Sequence, residues 1–207
     1  DRRSERANAD LAGRPQLIRG NSQIMYGGMG RLSENSVINT KNKSFSVTAE
    51  IDVPKTGAEG VIVAQGASIG GWSLYAKDGK LKYCYNVCGV QHFFTESNSK
   101  IPSGKHQARM EFAYDGGGWG KGGAVSLYVD GDKVGDGRVD LTQAMIFSAD
   151  ETCDIGEDTA SPVSPDYGPT GNAFNGTVEW VQIDVGSDDH DHLISPEHRL
   201  SVAMARQ

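Results

Sequence analysis

The stretch ETCDIGEDTASPVSPDY, residues 151–167, sets Glu151, Asp154, Glu157, Asp158 and Asp166 within seventeen positions. Carboxylates at that density do one of three kinds of work. Asp154, Glu157 and Asp158 offer three hard oxygens of the sort calcium takes, although DIGED lacks the alternating ligand spacing and closing Glu of an EF-hand loop. Two carboxylates facing each other across a cleft hydrolyse glycosidic bonds, but sequence does not fix their separation. Read as structure, GED and SPVSPDY make a turn-rich connection between strands, with Pro162 and Pro165 setting its path. All three readings stay open on these residues alone.

Other candidates fail on detail. DGGGWGKGG (115–123) suggests a phosphate loop, which needs Gly five residues before the Gly-Lys pair and Ser or Thr after the Lys; Asp115 and Gly122 stand there. The stretch runs between two strands and offers no helix N-terminus to an anion, so it reads as a long hairpin loop. Its Trp119 is hard to bury within its own sheet and is a candidate contact residue. DDHDH (188–192) places His190 and His192 among aspartates and reads as a solvated linker. No Gly-x-Ser-x-Gly elbow is present. Cys84, Cys88 and Cys153 cannot all pair within one chain, and they read as small buried or half-buried thiols.

The elements that position these groups are strands. SFSVTAEIDV alternates, with Phe45, Val47, Ala49, Ile51 and Val53 on one face. GWSLYAKDGKLKYCYN is a hairpin whose Asp78-Gly79 supplies the positive φ of a tight turn. GAVSLYVDGDKVG repeats the scheme at Asp130-Gly131. Further strands are GVIVAQ, KHQARMEFAY and FNGTVEWVQIDV. Short strands with almost no helical periodicity between them predict an all-β antiparallel sandwich. Only SPEHRLSVAMARQ reads as helix, with Ser195 as N-cap, Pro196 at the first helical position, and an apolar stripe of Leu200, Ala203 and Met204. The organisation expected is a connecting segment over 1–20, a sandwich over 21–186, and a polar linker with a helix over 187–207.

Composition narrows the partners. Gly is abundant, at 27 of 207 residues, and clusters with Asp and Asn, as tight turns require. A net charge of −7 tells against nucleic acid or an anionic membrane surface as the main partner. No apolar run approaches a membrane span. The opening DRRSERANAD has no apolar stretch of a signal peptide and does not begin with Met, as in a chain cut from a longer one. The compartment is left open between bacterial periplasm and cytoplasm.

EGVIVAQGASIGGWSLYAKDGKLKYCYN, FAYDGGGWGKGGAVSLYVDGDKVGDGRV and ETCDIGEDTASPVSPDY, in that order, resemble the C-terminal region of a group of bacterial arylsulfatases. The likeness spans about residues 14–185, and the ending HRLSVAMARQ fits as well. The resemblance implies a concanavalin A-like, laminin G-like jelly roll with a short C-terminal helix. It also implies a parent hydrolysing sulfate esters with a formylglycine, made in a Cys/Ser-x-Pro-Ser-Arg motif, and a calcium ion. That motif is absent, so the family's catalytic residues have no positions here, and the chain is expected to be no enzyme and to hold no cofactor of its own. Cys84 and Cys88 fall where the resemblance has apolar residues, which implies core positions. Ala160 stands where it has Gly, which tells against a special backbone conformation there.

The resulting expectation is a non-catalytic domain that packs on the parent's catalytic domain and shapes the entrance to its active site, with Trp119 and the C-terminal helix at the docking contact. The alternative is a carbohydrate-binding module for a sulfated or acidic glycan, whose rings stack on Trp72, Tyr75, Tyr83 or Tyr85 of a concave sheet face. Calcium at Asp154, Glu157 and Asp158 completes the expectations.

Overall fold

The computed structural model describes residues 17–18, 20–148, 153–186 and 192–204. Glu151 and the linker aspartates up to Asp191, with most of the expected connecting segment, lie outside the described residues. Eleven strands, one short 3-10 helix (Glu34–Ser36) and one α-helix follow each other along the described chain. They are β1 (Ser22–Tyr26), β2 (Phe45–Val53), β3 (Gly60–Ala67), β4 (Gly70–Lys77), β5 (Lys80–Val87) and β6 (Gln91–Lys100). Then come β7 (Gly104–Tyr114), β8 (Lys121–Val129), β9 (Asp132–Leu141), β10 (Cys153–Ile155), β11 (Thr177–Val185) and α1 (Pro196–Met204). All strand pairings within the two sheets are antiparallel, in the orders β1-β11-β2-β7-β8-β9 and β10-β3-β4-β5-β6.

The core lies between the sheets and follows the period of two. Phe45, Val47, Ala49, Ile51 and Val53 of β2 all point into it, as the alternation predicts. Met110, Leu127 and Val181 extend that face, and Trp72, Leu74, Leu81 and Tyr83 meet them from the five-stranded sheet. Trp72 bridges the layers through Phe45, with ring centroids 5.8 Å apart, and Phe45 continues to Phe112 at 5.5 Å. Both predicted Asp-Gly turns are left-handed at each central residue, with φ of 54° and 82° at Asp78-Gly79 and 53° and 87° at Asp130-Gly131. That geometry matches the right-handed twist of the flanking strands. Along one side the sandwich closes where β9 meets β6, and a Cβ on Gly137 would lie 2.3 Å from Thr95 Oγ1.

Ala160 corrects one expectation. It does take the special conformation, at φ 66°, just after the third acidic residue of the 154–158 run. A Cβ in that region costs about 1–2 kcal/mol, and glycine returns about 0.4–1 kcal/mol of it through the unfolded state. Ala160→Gly is therefore expected to raise the melting temperature by about 2 °C in a thermal scan. An unchanged or lower value contradicts the strain.

Candidate ligand-binding surface

The acidic stretch is a clasp. Asp154, on β10, is buried and accepts the Arg31 N–H at 2.5 Å, the Thr159 N–H at 3.0 Å and the Thr159 hydroxyl at 2.7 Å. Asp158 is equally buried and accepts the Val163 N–H at 2.9 Å and the Tyr167 hydroxyl at 2.6 Å. Asn172 receives the Asp158 N–H at 3.0 Å and donates to the Asp158 and Gly168 carbonyls, each at 2.9 Å. Glu157 faces solvent. The expected calcium triad of Asp154, Glu157 and Asp158 is thus not assembled, because two of its carboxylates are committed to the chain's own donors and the third points away. Among the described residues no three His, Cys, Asp or Glu side chains are placed to hold a metal ion.

The clasp folds residues 156–173 over the outer face of the five-stranded sheet. Val163 and Tyr167 pack there on Val61, Ala64, Tyr75 and Cys84. This corrects the expected stacking platform: Trp72, Tyr75, Tyr83 and Tyr85 are 0, 1, 0 and 2 % exposed. Trp72, Tyr83 and Tyr85 point into the core, and Tyr75 lies under the loop, edge-on to Tyr167 with centroids 5.3 Å apart. No sugar ring reaches them.

What the loop leaves open is the strip along β5 and β6. Phe94 pairs across with Cys84 and so stands on the outer face, 43 % exposed, with His92 stacked beside it at 6.3 Å. Lys77, Lys80 and Lys100 face one another in a cross-strand row, and Lys82 sits one step along, its Nζ 5.8 Å from the Phe94 ring. Like charges directly opposite one another destabilise a sheet, so the row needs anions. Glu96 supplies one, 2.6 Å from Lys80 and 3.6 Å from Lys82. Asp166 supplies another, 2.5 Å from Lys82, and also accepts the Tyr75 hydroxyl at 2.6 Å, while its carbonyl receives the Lys77 ammonium. Burial pushes the Asp166 carboxyl up, but Lys82 and Tyr75 outweigh it and hold it below the usual range. Burial pulls the Lys82 ammonium down, and Asp166 outweighs that in turn, leaving it raised. Neither His92 nor Phe94 stands out in the sequence, since the adjacent Phe93 and Phe94 give no alternation that says which of them faces outward.

The remaining candidates separate. Cys84 and Cys153 are buried free thiols, and burial pushes Cys84 up to about 12. Cys88 is not in the core as the resemblance implies; it is exposed in the β5–β6 turn at φ 55°. Trp119 is 49 % exposed in a loop whose Gly116, Gly117, Gly118 and Gly120 all take positive φ. Tyr114 steadies that loop by donating to the Gly118 carbonyl at 2.6 Å. The chain through Gly120, Asn42, Ala144, Gln143 and Cys88 ties this loop to the β5–β6 turn, so exposed Val90, Met145 and Ile146 share its end of the sandwich. Ser195 caps α1 as expected, accepting the His198 N–H at 3.1 Å. In the apolar stripe Leu200 and Met204 are each 63 % exposed, and the helix turns Arg199 toward Trp180 of β11.

No protein-family model matches the chain, and no curated protein matches it in sequence. In fold it is similar to the carbohydrate-binding module CBM40 of the Ruminococcus gnavus IT-sialidase, solved bound to alpha2,3 sialyllactose. That likeness has a TM-score of 0.51 and 10 % identity, and covers 91 % of this chain and 98 % of that one. The same module bound to alpha2,6 sialyllactose gives 0.50 at 11 % identity over 91 % and 99 %. Domains LG4-5 of the mouse laminin alpha1 chain give 0.44 at 13 % identity over 82 % and 43 %. The chain is thus an all-β jelly roll, an antiparallel sandwich of two sheets with one short α-helix near the end of the described residues. None of these three structures is a sulfatase domain, so the parentage implied by the sequence resemblance is not carried by the fold.

The Asp166 network predicts a pH signature. A depressed carboxyl contributes stability above its unfolded value, near pH 4, and loses it as pH falls through the folded value. The raised Lys82 contributes below its unfolded value, about 10.4, and loses it above. Asp166→Asn is expected to destabilise by about 2 kcal/mol at neutral pH, with the difference from wild type shrinking below about pH 4. Thermal melts across that range check it, and a gap that stays constant contradicts it.

Proposed function

We propose that this chain is a non-catalytic carbohydrate-binding module for a sulfated or acidic glycan, and that the β5–β6 ledge carries the ligand. The observation behind this reading is the in-register row Lys77, Lys80 and Lys100, with Lys82 and an exposed aromatic beside it. Ammonium groups on a rigid sheet suit sulfate or carboxylate oxygens. Phe94 offers a flat apolar face for a pyranose ring, and an aromatic of this size is the usual anchor of a small contact. The fold supports the class, since a module of the same architecture was solved with sialyllactose, an acidic glycan. The chain's net charge of −7 makes the row a local exception, so binding here is short-ranged and weakened by salt.

A second reading is supported by a different surface. Exposed Trp119, Val90, Met145 and Ile146 share one end of the sandwich, a patch that suits docking on another domain. In that reading the chain is the C-terminal domain of an arylsulfatase-type hydrolase, and this end packs against the catalytic domain at the active-site entrance. The two roles use separate surfaces and are compatible.

Calorimetry with sulfated and sialylated oligosaccharides at low ionic strength tests the first reading. Phe94→Ala is expected to weaken binding about fivefold to tenfold, and Lys80→Ala with Lys100→Ala to flatten the salt dependence. Wild-type protein that binds none of the panel contradicts it. For the second, Trp119→Ala is expected to leave glycan binding intact and to weaken association with the catalytic domain; the reverse pattern assigns Trp119 to the glycan.

A further inference from the structure

The middle of the outer face of the six-stranded sheet is built of polar and aromatic side chains, several of them buried. Thr48, Arg109 and Gln182 are fully enclosed, although strand alternation turns them away from the core. Part of their cover is residues 192–204, held there as a peptide is held in a groove. The Gln107 side-chain amide accepts the Ile194 N–H and donates to the Ile194 carbonyl, both at 2.9 Å, as a neighbouring strand does. His192 lies flat on Tyr128, with centroids 4.1 Å apart and planes 8° from parallel, and its Nδ1 is 2.6 Å from Glu111. The Arg199 guanidinium sits 5.2 Å over the Trp180 ring, with Glu50 at 3.9 Å. The face therefore holds the same device twice: an aromatic ring beside a carboxylate, each taking a basic side chain.

Among the described residues, Trp180 Nε1 and Gln182 Oε1 are buried without a hydrogen-bond partner, and the Gln182 Nε2 is turned to both Asp184 oxygens at 3.0 Å. His192 holds a left-handed φ of 60°, which a side chain resists. Each unmet buried group is a lost interaction. A ligand giving an acceptor to Trp180 and a donor to Gln182 makes two hydrogen bonds that the described part of the segment does not make.

We propose that this face is a peptide-binding groove for a basic segment of a partner protein that binds as residues 192–204 do, an extended lead followed by a helical turn, and that residues 192–204 are its resting occupant. Glu50 selects positive charge, Gln107 reads the backbone, and Tyr128 and Trp180 take the planar basic groups, while Glu111 is shared between the bound segment and the buried Arg109, whose Nε lies 2.8 Å away. The groove and the lysine row thus select opposite charges on opposite sheets.

The test uses the full chain carrying His192→Ala and Arg199→Ala, titrated against a labelled peptide with the sequence of residues 192–204 and followed by fluorescence anisotropy. The double variant is expected to bind it about tenfold tighter than wild type, because the tethered copy no longer competes. Adding Glu50→Gln is expected to weaken it again, and a scrambled peptide of the same composition to bind poorly. Equal binding by wild type and variant, or equal binding of the scrambled peptide, overturns the proposal. Should the double variant fail to fold, Arg199→Ala alone gives the same comparison: a smaller rise is expected, and no rise overturns it.

Discussion

A carboxylate shut away from water must find its donors in the chain, and Asp158 finds them in the Val163 amide and the Tyr167 hydroxyl. Removing either donor leaves a buried charge exposed to its desolvation cost, so the loop from 156 to 173 has one low-energy path. Asp154 fixes the start of that path through Arg31 and Thr159, and Asn172 fixes its end. The acidity at Asp154 and Asp158 is thus a folding device. It closes part of the outer face of one sheet, and in doing so decides which side chains of that sheet remain available to a ligand.

A β-sandwich has two outer faces, and this one treats them differently. On the five-stranded sheet the loop covers Tyr75 and Cys84 and leaves Phe94 and the lysines at its edge. Asp166 belongs to both regions, since it ends the covered part and neutralises Lys82 in the open part. On the six-stranded sheet the outer face is polar, and residues 192–204 lie across it. Each face therefore pairs a fixed set of charges with a segment of chain that limits access to them. The apolar end around Trp119 stands apart from both.

Local rules were readable in the sequence. The alternation of β2, the two Asp-Gly turns and the Ser195 cap need only neighbours within a few residues, and all appear in the fold as expected. The ligand surface was not readable in the same way. Trp72 and Tyr75 look alike as strand aromatics; the pairing of the sheets hides the first, and the loop that Asp158 shapes and Asp166 ties down hides the second. The lysine row depends on the register between β5 and β6, which shifts between Lys80 and Lys82 at an irregularity no pattern announces. Cys88 is expected in the core because the resemblance has an apolar residue at that position, yet it falls on the turn. Leu200 and Met204 formed a true helical stripe, but the sheet beside them offers Trp180 and Glu50, and it is Arg199 that meets them.

The most direct measurement is an NMR titration of the isotope-labelled chain with a sulfated oligosaccharide, following every backbone amide. Saturable shifts confined to β5, β6 and the 163–167 part of the loop, centred on Phe94 and Lys82, are predicted. Shifts centred on the 115–120 loop, or none at millimolar ligand, contradict the lysine ledge as the glycan site.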